Sequence, residues 1–208
     1  MKKLLVVFVG MLVGTAAMAQ TSPLGFGLKA GVNFPKYSLS GNDNTYETST
    51  STNFHVTAFL DAPLGGRFLS VQPGISLQGK GAELDFGNAG TFTQSTMWLE
   101  IPVNLVAKVP VGSSSFFVGA GPYVGFGLSG KNKYDSEWIT AEEDFEFGKD
   151  GSLRSTDFGV NFTAGFHMFQ GFMIHAGYGL GLTDLAPENN SSSKLTNQVW
   201  SVGVGFAL

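Results

Sequence analysis

The sequence predicts an all-β protein, an eight-stranded antiparallel up-and-down transmembrane β-barrel with short periplasmic turns and long extracellular loops. First, eight segments alternate strictly between apolar and small or polar residues, and a period of two is typical of a strand with unlike faces. Second, short and long connections alternate along the chain. Third, the chain opens with a secretory signal, and no later apolar run is long enough for a membrane helix.

Residues 1–19 have the parts of a cleaved signal peptide. The charged start Lys2-Lys3 is followed by an apolar stretch and by the small-residue cleavage site Ala17-Met18-Ala19. The apolar stretch is shorter than the roughly 20 residues that a membrane-spanning helix needs. We therefore expect a signal peptide at 1–19, removed on export, and one outer-membrane β-barrel domain at 20–208.

Eight segments are long enough to cross a bilayer as strands at the usual tilt of about 45°. The first is the clearest, because every even position from Leu24 to Phe34 is apolar and the odd positions carry glycine, lysine or asparagine. The predicted strands are 24–34, 53–62, 68–79, 96–108, 116–129, 156–169, 172–183 and 197–208.

The connections between these strands alternate in length. The three short ones are 63–67, 109–115 and 170–171, whereas the others are longer and rich in Ser, Thr, Asn, Asp and Gly. Barrels of the bacterial outer membrane have short periplasmic turns, long extracellular loops and an even number of strands. We therefore expect the outer membrane as the location, with both termini on the periplasmic side.

The phase of the alternation assigns the two faces of each strand. Phe26, Val160 and Val204 belong to an apolar face that continues around all eight strands. The opposite face carries mostly Gly, Ser, Thr and Asn, whereas strands that face water normally carry Lys and Glu. We expect the apolar face to contact outer-membrane lipid. The alternative is a secreted soluble lipocalin-like barrel, with the apolar face inside around a small apolar ligand.

The predicted interior is filled. Eight strands leave a lumen just wide enough for side chains, so we expect no open channel. The larger inward side chains are predicted to be Phe59, Phe68, Trp98, Phe117, Tyr123 and Phe169.

Six charged side chains also fall on the inner face. A buried ion needs a partner because its desolvation costs several kcal/mol, and we expect Lys29 to pair with Glu100 or Asp157. A proton or ion pathway is one interpretation, and a polar plug that braces the barrel is the favoured one. The inward charges are Lys29, Asp61, Lys80, Glu100, Lys108 and Asp157.

All three histidines, His55, His167 and His175, fall on the inner face. His167 and His175 become direct cross-strand neighbours if Met168 pairs with Ile174. Two imidazoles can bind a metal or respond to pH, but no third ligand is evident nearby, and we expect no metal and no cofactor. The predicted polar network of the lumen consists of Lys29, Asp61, Glu100, Asp157, His55, His167 and His175.

Composition limits the partners. The formal net charge is −4, and it becomes more negative when Lys2 and Lys3 leave with the signal, which argues against nucleic acid. The chain contains no cysteine, so disulfides and thiolate sites are excluded. We expect a monomer whose ligand or protein partner, if it has one, contacts the extracellular loops. The loop 131–154 holds seven acidic residues and is expected to be a solvated acidic loop.

Four strands carry short motifs in a fixed order. The segments are Gly27-Leu-Lys-Ala-Gly31-Val-Asn-Phe34, Val71-Gln-Pro73-Gly-Ile-Ser-Leu-Gln78-Gly-Lys80-Gly81, Trp98-Leu-Glu100-Ile-Pro102-Val103 and Gly119-Ala-Gly121-Pro122-Tyr123. Over 20–208 the chain resembles the PorT-type outer-membrane β-barrel family of Bacteroidetes, although Gly74 stands where that family usually has Glu. The resemblance implies an eight-stranded outer-membrane barrel and no shared catalytic residues.

A lipid-modifying outer-membrane enzyme is the second alternative. Some eight-stranded barrels of this kind use a His-Ser-acid set that faces lipid or the rim. Here the histidines are predicted to face inward, and no nucleophile with a hydrogen-bonded base can be named. We therefore predict a structural or surface-interaction role without catalysis.

Overall fold

The computed structural model describes residues 24–41, 44–64, 66, 68–86, 90–136, 140–148, 153–186 and 194–208. The predicted signal peptide at 1–19 lies outside these residues. Among the described residues there is no helix of the length and apolarity that a membrane span needs.

Ten strands lie in the described residues, and eight of them form a closed ring. The strands are β1 Gly25–Gly41, β2 Asn44–Glu47, β3 Asn53–Pro63, β4 Leu69–Asp85, β5 Thr91–Val111, β6 Ser114–Asp135, β7 Thr140–Phe145, β8 Thr156–His167, β9 Phe172–Gly181 and β10 Lys194–Ala207. The ring runs β1-β3-β4-β5-β6-β8-β9-β10, each pair is antiparallel, and β10 pairs back to β1. The predicted eight-stranded up-and-down barrel is confirmed.

Several strands are longer than predicted, and the largest extensions lie at the end away from the short turns. β1 reaches Gly41, β4 reaches Asp85 and β6 reaches Asp135. Beyond the predicted ends apolar residues are sparse and polar residues occur on both faces, so the sequence pattern alone did not extend the strands; Tyr37 and Ala82 in these extensions are nevertheless buried. Two short strands were also not predicted: β2 pairs with β1, and β7 pairs with β6. The segment 131–154, expected to be a solvated acidic loop, therefore contains β7 and the end of β6, which form an exposed hairpin.

The apolar face points outward. Phe26, Phe162 and Val204 are 45, 48 and 62 % exposed, whereas Trp98 and Asp157 on the other face are 0 % exposed. This confirms the predicted lipid-facing surface and contradicts the lipocalin-like alternative, which needs the apolar face inside.

Four of the predicted large inward residues, Phe59, Trp98, Phe117 and Tyr123, are buried. Phe68 is a wrong prediction: it is 68 % exposed because it precedes β4 in a short turn, where the phase of the strand does not apply. The prediction for Phe169 falls outside the side chains that the structure describes.

Two apolar layers divide the lumen. The upper apolar layer, at the extracellular end, consists of Tyr37, Ala82, Trp98, Leu153 and Leu185, with Phe145, Phe147 and Leu195 packed against it. The lower apolar layer, at the periplasmic end, consists of Phe59, Val106, Phe117 and Met173, with Ala207 against it. Glycine makes the upper layer possible, because a Cβ at Gly127 would clash with the Phe147 ring (Cδ2 at 2.6 Å).

Candidate functional site

The centre of the lumen, between the two apolar layers, holds a cavity of about 90 Å³. We call it the central chamber. Its volume corresponds to a few water molecules, since a water occupies about 30 Å³ in the liquid. Each of the eight ring strands contributes at least one polar side chain to its lining, among them Lys29, Thr57, Gln78, Asn104, Tyr123, Thr163, His175 and Ser201.

A buried ion cluster lies beside the central chamber. The Nζ of Lys80 lies 2.6 Å from Oε1 of Glu100 and 2.8 Å from Oδ2 of Asp157, and all three side chains are 3 % exposed or less. Oδ2 of Asp157 also accepts hydrogen bonds from the Tyr123 hydroxyl (3.0 Å) and from Nδ2 of Asn197 (3.1 Å). The ammonium group further lies 4.7 Å from the centroid of the Tyr123 ring, a favourable cation–π geometry.

The predicted pairing of Lys29 with Glu100 or Asp157 is wrong, because Lys80 pairs with both carboxylates. The Nζ of Lys29 instead lies 4.6 Å from the centroid of the Phe59 ring and 5.5 Å from that of Phe117, against the lower apolar layer. The phase of a strand gives the face of a side chain but not its height in the lumen. That height depends on strand tilt and stagger, which the sequence does not specify.

The periplasmic mouth of the barrel contains a second ion pair. Lys108 and Asp61 pair there, and Nε2 of Gln72 donates a hydrogen bond of 2.9 Å to Asp61. The pair lines a cavity of about 590 Å³ together with His167. The lower apolar layer separates this cavity from the central chamber.

The histidines are arranged differently from the prediction. His175 lies opposite Gly165, since Phe166 rather than Met168 pairs with Ile174. The cause is the connection between β8 and β9, where residues 169–171 form a 3-10 turn that takes up more chain than the predicted two-residue link. His167 packs on the Phe117 ring at 4.9 Å, towards the periplasmic mouth.

His55, not His167, is the neighbour of His175. The two ring centroids lie 5.3 Å apart at an interplanar angle of 65°, and both residues are buried. The rings lie against Gly31 and Gly203, which pair directly across β1 and β10. A Cβ at Gly203 would lie 2.8 Å from Nε2 of His175. This pair of glycines, in register where the barrel closes, is the sequence signal that could have located the histidine pair.

The hydrogen bonds of Asn33 fix the tautomer of His55. Nδ2 of Asn33 points at three acceptors, Gln78 Oε1 (2.8 Å) among them, so its Oδ1 is the atom that faces Nδ1 of His55 at 2.8 Å. Nδ1 of His55 is therefore the donor, and Nε2 carries a lone pair. Three side-chain atoms of chamber-lining residues are buried without a partner in the described structure: Nε2 of His55, Nε2 of His175 and Oδ1 of Asn104.

Among the described residues, the lumen contains equal numbers of positively and negatively charged side chains. Three lysines, Lys29, Lys80 and Lys108, face three carboxylates, Asp61, Glu100 and Asp157. In the described part of the chain, no group of three or more His, Cys, Asp or Glu side chains could hold a metal ion.

The outer end of the barrel carries a charged hairpin, β6–β7. Lys131 pairs with Glu142 at 3.0 Å, and Lys133 pairs with Asp135 at 3.1 Å. The hydrogen bond with Glu142 raises the pKa of Lys131, and that from Lys133 lowers the pKa of the Asp135 carboxyl. Every residue of β7 except Phe145 is exposed, and β6 is its only strand partner among the described residues.

The family described as outer membrane protein beta-barrel domain matches residues 18–186. No curated protein matches the chain. The solved structures that resemble it include Ail, the attachment invasion locus protein of Yersinia pestis (10 % identity, 88 % of this chain and 98 % of that chain, TM-score 0.43), Neisserial surface protein A (11 %, 89 % and 97 %, 0.44) and OprG from Pseudomonas aeruginosa (12 %, 88 % and 95 %, 0.46).

At these identities and TM-scores the resemblance to solved structures gives no information on what this chain binds. The family match spans most of the chain. The chain therefore belongs to the outer membrane β-barrel domain family, and its location is the bacterial outer membrane.

Proposed function

We propose that this member of the outer-membrane β-barrel family is a monomeric surface-interaction protein, in which the strand extensions at the extracellular end contact a partner outside the cell. The observation that carries the proposal is the length of β5 and β6. They have 21 and 22 residues, about twice what a tilted strand needs to cross a bilayer, and β7 adds a further exposed strand beside β6.

The hairpin is anchored to the barrel. Phe145, the last residue of β7, lies against Gly130 of β6, and Phe147 packs on Trp98 with ring centroids 4.9 Å apart. Both phenyl rings belong to the upper apolar layer. A surface that is already ordered loses less conformational entropy on binding, so this anchoring favours recognition.

The exposed acidic side chains of β7 support the proposal of a basic partner. Glu142, Glu143 and Asp144 follow one another along the strand, and Glu142 forms an ion pair with Lys131 that is half exposed. Opposite charge on a partner would speed association and set its orientation, and the effect would weaken with salt.

The proposed role involves no catalysis. In the described part of the chain no histidine forms a hydrogen bond with a serine or threonine; His55 bonds Asn33 instead. A hydroxyl nucleophile needs an adjacent general base. The lumen is also proposed not to conduct, because an apolar layer lies on each side of the central chamber.

A PorT-type relationship within the family is part of the proposal. It is supported by the order of the motifs quoted above, three of which fall on the adjacent strands β4, β5 and β6. These motifs contribute Lys80, Glu100 and Tyr123 to the ion cluster, so residues that carry the resemblance meet at one place in the lumen.

The experiment uses the absence of cysteine in the chain. Ala141→Cys on β7 and Ser113→Cys in the turn after β5 are each labelled with a membrane-impermeant photoreactive maleimide on intact cells. We expect Ala141→Cys to be labelled and to give a discrete cross-linked product, and Ser113→Cys to remain unlabelled until the outer membrane is permeabilised.

The matched control neutralises the acidic strand in the same background, with Glu142→Gln, Glu143→Gln and Asp144→Asn. We expect the cross-linked product to fall at least tenfold while labelling is unchanged. Labelling without any cross-linked product, or a product that survives neutralisation, would contradict recognition of a basic partner by β7.

A further inference from the structure

We propose that the central chamber binds one small inorganic anion, of the size of chloride or bromide, and that the anion is taken up together with one proton carried by the pair His55–His175. The proposal concerns the lumen and goes beyond the surface role proposed above. It rests on three features of the chamber: a cation without a carboxylate partner, two imidazole nitrogens without partners, and a balance of charge.

The cation is Lys29. Its side chain lines the central chamber, and among the described residues no carboxylate oxygen lies within 4.0 Å of its Nζ. The rings of Phe59 and Phe117 provide only cation–π contacts, which leave the N–H donors of the ammonium group without a hydrogen-bond acceptor. An anion in the chamber would supply that acceptor.

The two imidazoles supply the proton site. His55 is 3 % exposed and His175 is 9 % exposed, and the Nε2 of each has no partner in the described structure. Nε2 of His55 is an acceptor while the ring is neutral, because Nδ1 donates to Asn33. Protonation converts such an atom into a donor, and both residues line the chamber.

The charges around the pair decide the stoichiometry. The charged or titratable groups that face the chamber from the other strands are Lys29 on β1, Lys80 on β4, Glu100 on β5 and Tyr123 on β6, with Asp157 of β8 behind Lys80. With both histidines neutral, the lysines and carboxylates of the lumen cancel. An anion alone, or a proton alone, would leave one uncompensated charge, which is costly in a desolvated site. Anion and proton together restore neutrality.

The chamber is also selective by size. A volume of about 90 Å³ admits a halide with one or two waters but not an organic anion such as gluconate. The hydroxyl group of Ser201 lines the same space and can donate a further hydrogen bond to a bound halide, whereas the hydroxyls of Thr57 and Ser76 hydrogen-bond each other.

The test compares bromide with gluconate at equal ionic strength on the purified, detergent-solubilised barrel. The stabilisation by bromide, read as a rise in the thermal unfolding midpoint, gives an apparent dissociation constant at each pH from 7.5 to 4. For one proton bound per anion, the dissociation constant should fall about tenfold for each unit by which the pH is lowered, until the pair is protonated. Crystals grown in bromide at low pH should show anomalous density between Lys29 and the histidine pair.

Two variants and one control complete the test. The double variant His55→Gln/His175→Gln should remove the pH dependence of the bromide effect, and Lys29→Met should abolish the effect. His167→Gln, outside the chamber at the periplasmic mouth, should behave like the wild type. No difference between bromide and gluconate, anomalous density only at the outer surface, or waters alone in the chamber would overturn the proposal. The crystallographic result on the wild-type chain decides the matter if a variant fails to fold.

Discussion

Lys80 illustrates what a charge requires inside this barrel. Its ammonium group is held by two carboxylates and by the ring of Tyr123. Phase along the strands predicts that Lys80, Glu100 and Asp157 face inward. It does not predict that they meet, because the heights of three residues on β4, β5 and β8 depend on the stagger of the closed barrel.

We predict that Lys80→Met destabilises the barrel by about 3–5 kcal/mol, since it leaves two buried carboxylates without their cation. Urea-induced unfolding in detergent measures the change. The matched variant Lys80→Met/Glu100→Gln/Asp157→Asn removes the charges together and should recover most of the loss. A triple variant as unstable as the single one would show that packing of the Lys80 side chain, not its charge, is what matters.

On the outward face of the barrel, which contacts lipid, a charged side chain is unfavourable. Phe162 lies near the middle of β8 and is 48 % exposed to what is lipid in the membrane. Phe162→Arg should destabilise the folded barrel by about 2–4 kcal/mol, as charges at the bilayer midplane do. Refolding into lipid vesicles, followed by denaturant titration, measures the loss, and Phe162→Leu should stay close to the wild type. An arginine that costs nothing would mean that this face does not contact hydrocarbon.

At the scale of elements, the link between β8 and β9 sets the neighbours of the histidines. Its 3-10 turn makes Phe166 rather than Met168 the partner of Ile174. Gln170 in this turn has φ 63°, the left-handed region that residues other than glycine rarely adopt. The register of β9, and with it the position of His175, therefore depends on a turn whose conformation is unfavourable for its own sequence.

We predict that Gln170→Gly stabilises the barrel by up to about 1 kcal/mol. The left-handed conformation costs a residue with a side chain about 1–2 kcal/mol, and glycine removes this cost. Part of the gain is offset because glycine loses more backbone entropy on folding. Gly171→Ala in the same turn should destabilise it, since Gly171 has φ 86° and a Cβ there would press on the carbonyl of Ala207. Equilibrium unfolding of both variants distinguishes relief of strain from a general effect of the turn.

At the scale of the whole molecule, the two apolar layers close the lumen in series. We predict that the wild-type barrel gives no stepwise current in a planar bilayer. Truncating the upper layer with Trp98→Ala/Phe147→Ala should leave it closed, because Phe59 and Phe117 still fill the lower layer.

Only the combination with Phe59→Ala/Phe117→Ala is expected to produce a measurable conductance, and the lower truncation alone should not. A wild-type channel, or a channel opened by either truncation alone, would contradict the layered arrangement.

The sequence by itself determined the number of strands in the barrel ring, the closure of the ring, the face of most strand side chains and the outer-membrane location, because an alternation with a period of two distinguishes the residues that face lipid from those that face the lumen. It did not determine β2 and β7, which are only four and six residues long and show no regular apolar–polar alternation in sequence. Only the tertiary structure decided that Lys80 rather than Lys29 pairs with Glu100 and Asp157, and that His55 rather than His167 faces His175. These contacts depend on the position of each side chain along the barrel axis, which is set by the tilt, stagger and turn lengths of the closed barrel. The periodicity of a single strand contains no information on that position.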